Sequence, residues 1–191
     1  MLDHMDRKTR KYIRLANYDY SSNGLYFITI CTKDRIRYLS EVISVGNAAL
    51  GVPRNTATEN DIFDVPIVKL TKYGEIVNSN IKKINEIYRY VSVTKYVIMP
   101  DHIHMILFVS DYGEKIQTSG TPRAAFPTKS VSQIINGLKS ISTKQIGFSV
   151  WQRSFHDHII RNEKEFLEIC SYIDNNPTNW VNDIYNQNYW R

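Results

Sequence analysis

The segment Val93 to Val109 limits the fold more than any other part of the chain. Val93 to Met99 is a β-branched, apolar run, Pro100-Asp101 breaks it, and His102 to Val109 is a second such run. Runs of this length and make-up read as strands. A two-residue break between them joins them as an antiparallel hairpin. Side chains alternate across a strand, so His102, His104, Ile106 and Phe108 share one face of the second strand. Ile103, Met105, Leu107 and Val109 share the other. Beyond the histidines both faces are apolar, which places this strand in the middle of a sheet.

The other elements follow from spacing and caps. Leu25 to Thr32 comes after the turn signal Ser22-Asn23-Gly24 and reads as a first strand. Tyr73, Ile76, Val77, Ile81, Ile84, Ile87 and Tyr88 recur at helical intervals and predict a helix over Tyr73 to Tyr90. Ser130 with Gln133 is a capping box opening a second helix, whose apolar face is Val131, Ile134, Ile135, Leu138 and Ile141. Trp151 to Arg161 reads as a fourth strand. Asn162 with Glu165 opens a last helix, and Pro177 is expected to end it. The order is strand, helix, strand, strand, helix, strand, then a helix. That predicts an α+β, ferredoxin-like βαββαβ antiparallel sheet, its helices on one face, with an added C-terminal helix carrying Tyr172. Residues 40–66, with Gly51 and Pro53, and 111–129, with Gly113, Gly120, Pro122 and Pro127, read as loops.

A chain of 191 residues is long enough for one sizeable core and short for two, so residues 1–191 are expected to form a single domain. With 42% hydrophobic and 23% charged residues it has an ordinary globular make-up. No apolar run reaches the roughly 20 residues that span a bilayer. The charged start does not resemble a secretory signal, so the expected compartment is the cytoplasm, with Cys31 and Cys170 free and buried. The net charge is +5, compatible with a nucleic-acid partner. Arg7, Lys8, Arg10, Lys11 and Arg14 concentrate it in a basic arm over residues 1–15. Such an arm either lies along phosphates or is a solvated end.

Three groups of residues could carry chemistry. His102 and His104 lie about 7 Å apart along one strand face, where two imidazoles can grip one cation or pack as structural histidines. His156 and His158 have the same spacing, and spacing does not separate the pairs. On the last helix Phe166, Ile169, Cys170 and Ile173 form an inward stripe. Tyr172 and Asn176 fall together about 90° from its centre, one turn apart, and can face a common point. They read equally as a boundary tyrosine and a C-terminal asparagine cap.

Pro100-Asp-His-Ile-His104 resembles the paired-histidine motif of the single-tyrosine HUH transposases. Trp151-Gln-Arg-Ser-Phe-His-Asp-His158, followed by Ile-Ile-Arg161, is similar to a second signature of their REP-associated branch. Tyr172-Ile-Asp-Asn-Asn-Pro177 is similar to a third. The three occur in the family's order between residues 100 and 177. The resemblance implies a DNA transposase, acting as single-strand endonuclease and strand transferase. Tyr172 would be the nucleophile. His102, His104 and Asn176 would hold a divalent metal, Mg²⁺ or Mn²⁺. It favours the first histidine pair over the second and leaves His158 and Arg161 as site support or DNA contacts. Lys139 and Lys144 are further candidate phosphate contacts. The expected partner is single-stranded or hairpin DNA, bound by a monomer or homodimer without a membrane or nucleotide cofactor. Two rival readings remain. One is a non-catalytic binder of structured DNA or RNA on the same scaffold, and the other a metal-dependent nuclease in which water attacks.

Overall fold

Four strands share one antiparallel sheet in the computed structural model, which describes residues 23–45, 65–110 and 129–183. In chain order the elements are β1 (Gly24–Cys31), β2 (Ser40–Val45), β3 (Val65–Leu70), α1 (Lys72–Ile87) and β4 (Val91–Ile98). Then come β5 (His102–Val109), α2 (Val131–Ile146), β6 (His156–Ile160) and α3 (Glu163–Asn182). The sheet order is β4-β5-β1-β6. With β2 and β3 set aside, the path β1-α1-β4-β5-α2-β6 is the expected ferredoxin-like arrangement, and β5 is central as its two apolar faces require. Its register on β1 pairs Cys31 with His102, Thr29 with His104 and Phe27 with Ile106. On the other side of β1, Thr29 pairs with His156 and Phe27 with His158. Both histidine pairs therefore project from one face of the sheet.

Each face has its own packing layer. Tyr26, Ile28 and Ile30 of β1 and Ile103, Met105 and Leu107 of β5 meet Val77, Ile81 and Ile84 of α1 and Ile134, Ile135 and Leu138 of α2. Burying one such side chain is worth about 1.5–3 kcal/mol, so this layer supplies most of the apolar burial. On the opposite face Ile106 and Ile160 pack with Ile173 of α3, flanked by Leu25, Phe27, Val97, Phe166, Ile169 and Cys170. The expectation of helices on one face holds for α1 and α2. The added helix α3 covers the other face, the one that carries the histidines. Lys95 of β4 also bonds Asp174 of α3 at 2.7 Å.

Local chemistry explains the helix ends. Both arms of the Ser130–Gln133 capping box are formed, and Asn162 Oδ1 accepts from the Glu165 N–H at 2.9 Å. Thr71 caps α1, and Gly74 lies where a Cβ would sit 2.0 Å from the Leu39 carbonyl oxygen. Only a residue without a side chain lets α1 approach that backbone.

The structure corrects four expectations. The ends of the expected 40–66 loop are strands: β2 and β3 pair from Ser40–Leu70 to Val45–Val65. The turn residues at 46–60 obscured the β-branched residues on either side, and 46–64 lie outside the described residues, as do 111–128. The first helix stops at Ile87, three residues short, because Tyr88 is already extended. The fourth strand begins at His156, and Trp151 makes only an isolated bridge to Thr32. Finally, Pro177 lies inside α3, which runs on to Asn182. Proline removes one helical hydrogen bond, although its fixed φ is compatible with the helix. Beyond it the half-buried Trp180 meets the His102 ring and the Arg37 guanidinium, contacts that anchor the continued turn. Cys31 and Cys170 are both free, but only Cys31 is fully buried.

Candidate active site

The turn before β5 is tied down from three sides. The Met99 N–H donates to the His102 carbonyl at 2.8 Å, and Thr32 donates to the Asp101 carbonyl from its N–H at 2.8 Å and its hydroxyl at 3.0 Å. This fixes the start of the strand and the two imidazoles on it. Their ring centroids are 4.5 Å apart, and His102 and His104 are 9% and 6% exposed. The Asp101 carboxylate lies 2.5 Å from His102 Nδ1. An anionic acceptor there keeps the proton on Nδ1 and leaves the Nε2 lone pair available. On the neighbouring strand Thr29 Oγ1 lies 2.8 Å from His104 Nδ1. On the far side of that ring, His104 Nε2 lies 3.3 Å from the Tyr172 hydroxyl. A phenol donating to Nε2 and Nδ1 donating to Thr29 are mutually consistent, so both histidines present Nε2 as the acceptor.

Phe27 stacks on His104 with centroids 5.2 Å apart and meets Tyr172 edge-on at 6.0 Å. Burial, reinforced by His102 and Arg35 and opposed by Asp101, holds the His104 imidazole down to about 3. It is a neutral ligand or acceptor at pH 7.

Tyr172 and Asn176 come together as their one-turn spacing predicts. Both line an open cleft of about 300 Å³ with Arg35, Asp101, His102, Asn179, Trp180 and Asp183. They differ in depth. Tyr172 is 45% exposed and Asn176 only 7%, so the boundary position expected for both holds for the tyrosine alone. The Asn176 side chain lines the cleft beside Tyr172 and His102, where its amide oxygen can reach a ligand. Two Nε2 lone pairs and one amide oxygen fit a divalent cation that completes its shell with water and phosphate oxygens. Among the described residues no group of three or more His, Cys, Asp or Glu is placed to hold a metal ion.

The remaining candidates are placed elsewhere. His158 Nε2 bonds Glu165 Oε1 at 2.6 Å, and Glu165 Oε2 accepts from the Arg161 N–H at 2.7 Å. The Arg161 backbone bond, then the His158 side chain, lower the Glu165 carboxyl below its usual range. His158 thus braces β6 against the start of α3, and Arg161 is exposed at that junction. His156 lines a larger hollow of about 560 Å³ with Lys33, Asp34, Arg35, Trp151, Gln152 and Arg153. Arg35 borders both hollows. Lys139 is a correction: its ammonium donates to the carbonyls of Gln152, Arg153 and Ser154 at 2.5, 3.3 and 3.2 Å. It is committed to pinning that loop rather than open to a phosphate. Lys144 is exposed at the end of α2, on the sheet face away from the histidines. Arg7, Lys8, Arg10 and Lys11 lie outside the described residues.

Sequence reasoning did not single out Thr29, Arg35, Asp101, Asn179 or Trp180 as site residues. Asp101 was visible beside the histidines, and an acid preceding a candidate ligand is a usable signal. Thr29 required the strand register, and Trp180 was hidden by taking Pro177 as the helix end.

No family model matches the chain. An uncharacterised Haemophilus influenzae protein is 32% identical over 185 residues, 91% of each chain. A second Haemophilus influenzae protein, provisionally named a REP-associated tyrosine transposase, is 24% identical over 165 residues, 85% of this chain and 76% of that one. Among solved structures, a REP-associated tyrosine transposase bound to a REP hairpin gives a TM-score of 0.49 at 19% identity, covering 92% of this chain and 74% of that one. A Deinococcus radiodurans R1 protein, provisionally named a transposase, gives 0.38 at 16% identity, covering 85% and 95%.

Proposed function

We propose that this chain is a tyrosine transposase of the REP-associated type, in keeping with its similarity to a protein provisionally so named, and that it nicks and rejoins single-stranded or hairpin DNA through a covalent bond to Tyr172. We further propose that it acts as one domain, with His102, His104 and Asn176 holding Mg²⁺ or Mn²⁺ as in the HUH transposases it resembles. The observation that carries this reading is the contact between the Tyr172 hydroxyl and His104 Nε2 at 3.3 Å. It brings a half-exposed phenol onto the neutral His104 imidazole, whose neighbour His102 is oriented by Asp101.

A tyrosine hydroxyl has a pKa near 10 and is a weak nucleophile at neutral pH. When bound, a divalent cation supplies charge stabilisation at the scissile phosphate. The chain's own residues do the rest. Asp101 and Thr29 set the ring orientations. Phe27 and Ile173 hold the histidine and the helix around Tyr172. Nε2 of His104 has a single lone pair, so it would either hold a cation or accept from the Tyr172 hydroxyl, and the hydroxyl is placed 3.3 Å from it at the cleft. In the step itself the Tyr172 Oη–P bond forms and the P–O3′ bond breaks. The phenolic proton passes to solvent, and the leaving 3′ oxygen takes one up. The tyrosine keeps the 5′ end and the phosphoester is conserved, so a second 3′ hydroxyl reverses the step without ATP.

The test is incubation of the full chain with end-labelled hairpin DNA and Mn²⁺, followed by a denaturing gel. A labelled protein–DNA adduct is expected. Cut DNA without an adduct would assign the attack to water. Binding without cutting would make the chain a silent DNA binder. Among the described residues no helix is long and apolar enough to cross a membrane.

A further inference from the structure

We infer that the larger hollow, between the turn after β1 and the loop before β6, holds backbone phosphates of the single-stranded DNA that flanks the scissile site. The inference rests on the proposed DNA reading and adds where the strand's backbone lies. It also gives a role to the signature from Trp151 to His158, which the proposed chemistry leaves unused. The hollow measures about 560 Å³, and Lys33, Asp34, Arg35, Trp151, Arg153 and His156 are among its lining residues. Lys33 comes from the turn and Arg153 from the loop. Both are exposed, and among the described residues neither is paired with a carboxylate. Arg35 is not counted with them, because it lies 3.6 Å from Asp101 Oδ2 and its charge is engaged at the cleft. Asp34 is the one acid of the lining, so two free cations against one carboxylate leave the hollow positive.

Its two sides are locked together before any ligand arrives. Thr32 and Trp151 form a bridge, the Lys33 N–H donates to the Val150 carbonyl at 2.7 Å, and the Gln152 N–H donates to the Cys31 carbonyl at 2.9 Å. Lys139 takes the carbonyls of Gln152, Arg153 and Ser154. Three oxygens that would repel a phosphate are thus already held by an ammonium. Trp151 is buried beside the hollow, and its Nε1–H has no partner among the described residues. The unsatisfied polar atom here is a donor, not an acceptor. The turn itself is strained: Asp34 and Arg35 have φ of 55° and 56°, a left-handed geometry that is unfavourable for residues with a side chain. In return Arg35 reaches the cleft while Lys33 stays with the hollow, so one three-residue segment serves both. Contacts to phosphates fix a strand's position without reading its sequence.

The test is fluorescence anisotropy of a labelled hairpin with an eight-nucleotide single-stranded flank, over a series of salt concentrations and without divalent metal. Lys33→Gln and Arg153→Gln should each bind about 5-fold more weakly at low salt and flatten the logarithmic salt dependence by about 0.7. Lys83→Gln removes the same charge from an exposed position on α1 and should do neither. Lys33→Arg keeps the charge and should bind as the wild type does. A methylphosphonate, which removes the charge of one phosphate, is then moved through the flank. Wild-type protein should lose affinity at particular positions, and the two glutamine variants should show no further loss there. Coupling of this kind marks a direct contact, and neither a structural role nor a change in net charge would produce it. Wild-type salt slopes in both glutamine variants, or equal losses at every methylphosphonate position, would overturn the inference alone. A wild-type chain that binds no hairpin would overturn it together with the proposed function. Coupled binding with no covalent adduct would sustain the phosphate site and sink the chemistry.

Discussion

The Tyr172 hydroxyl and His104 Nε2 lie 3.3 Å apart although 68 positions separate the residues in sequence. One comes from the centre of a sheet and the other from the helix that closes over it. Their meeting depends on the β1–β5 register and on α3 crossing the histidine face. Each expected outcome below disturbs one part of that arrangement.

Replacing His102 with alanine should slow DNA cleavage by at least roughly 100-fold, because it removes a proposed ligand and the partner of Asp101. His102 opens β5 at the cleft, so the melting temperature should fall only slightly. His104→Ala should abolish cleavage too, at a greater loss of stability, since this ring is packed under Phe27. Thermal melts alongside single-turnover cleavage separate the two effects. Wild-type rates in either variant with the same metal would show that the histidines are structural.

Asp101→Asn should leave the fold intact and raise the Mn²⁺ concentration needed for half-maximal cleavage by roughly 10-fold. The amide still fits against His102 Nδ1 but no longer holds its proton with a full negative charge. The expected change is in metal dependence rather than in the rate at saturating metal, and a Mn²⁺ titration of cleavage reads both. A variant whose titration overlays the wild type would remove Asp101 from the site.

Acid should destabilise the fold through His104. Its imidazole is held down to about 3 in the folded chain, against about 6.5 when exposed. Between those values the unfolded chain binds the extra proton, so stability is intact above the upper one and declines as pH falls toward the lower one. Urea midpoints measured from pH 7 to pH 4 should fall, and His104→Gln should fall less steeply. Equal slopes in the two proteins would mean that other groups govern the acid limb.

Tyr172→Phe should eliminate the covalent adduct while retaining DNA binding and the wild-type melting temperature. The ring stays against Phe27, and Ile173 beside it remains buried. Thirteen tyrosines are present, so mass spectrometry of the nuclease-trimmed adduct should identify the modified residue. A nucleotide on any other tyrosine would reassign the nucleophile.

The legible parts of this fold were those written in local chemistry. The Pro100-Asp101 break and the alternation after it placed His102 and His104 on one face. Ser130 with Gln133 marked the start of α2, and the one-turn spacing of Tyr172 and Asn176 put both in the cleft. What the sequence left out depends on contacts between distant segments. Nothing near Thr29 announces that it will sit opposite His104. The β2–β3 pairing joins segments on either side of a turn-rich stretch. Lys139 looks like any basic residue on a helix until the carbonyls of Gln152 to Ser154 are brought to it. Pro177 misled because a local rule does not see the contacts that Trp180 makes beyond it.

The ties along α3 carry a consequence for strand exchange. Glu165 fastens its beginning to His158 and Arg161, Asp174 fastens its middle to Lys95, and Ile173 is buried against the sheet. Trp180, beneath Arg37 and beside His102, holds its far end. The exposed ion pair is individually weak, but the attachments are distributed along the whole length and act together. The tyrosine thus rides on a beam clamped at both ends rather than on a swinging arm. On the proposed mechanism a DNA end joined to it would stay where it was cut, and the choreography of rejoining would fall to the DNA: the second end would have to travel to the first.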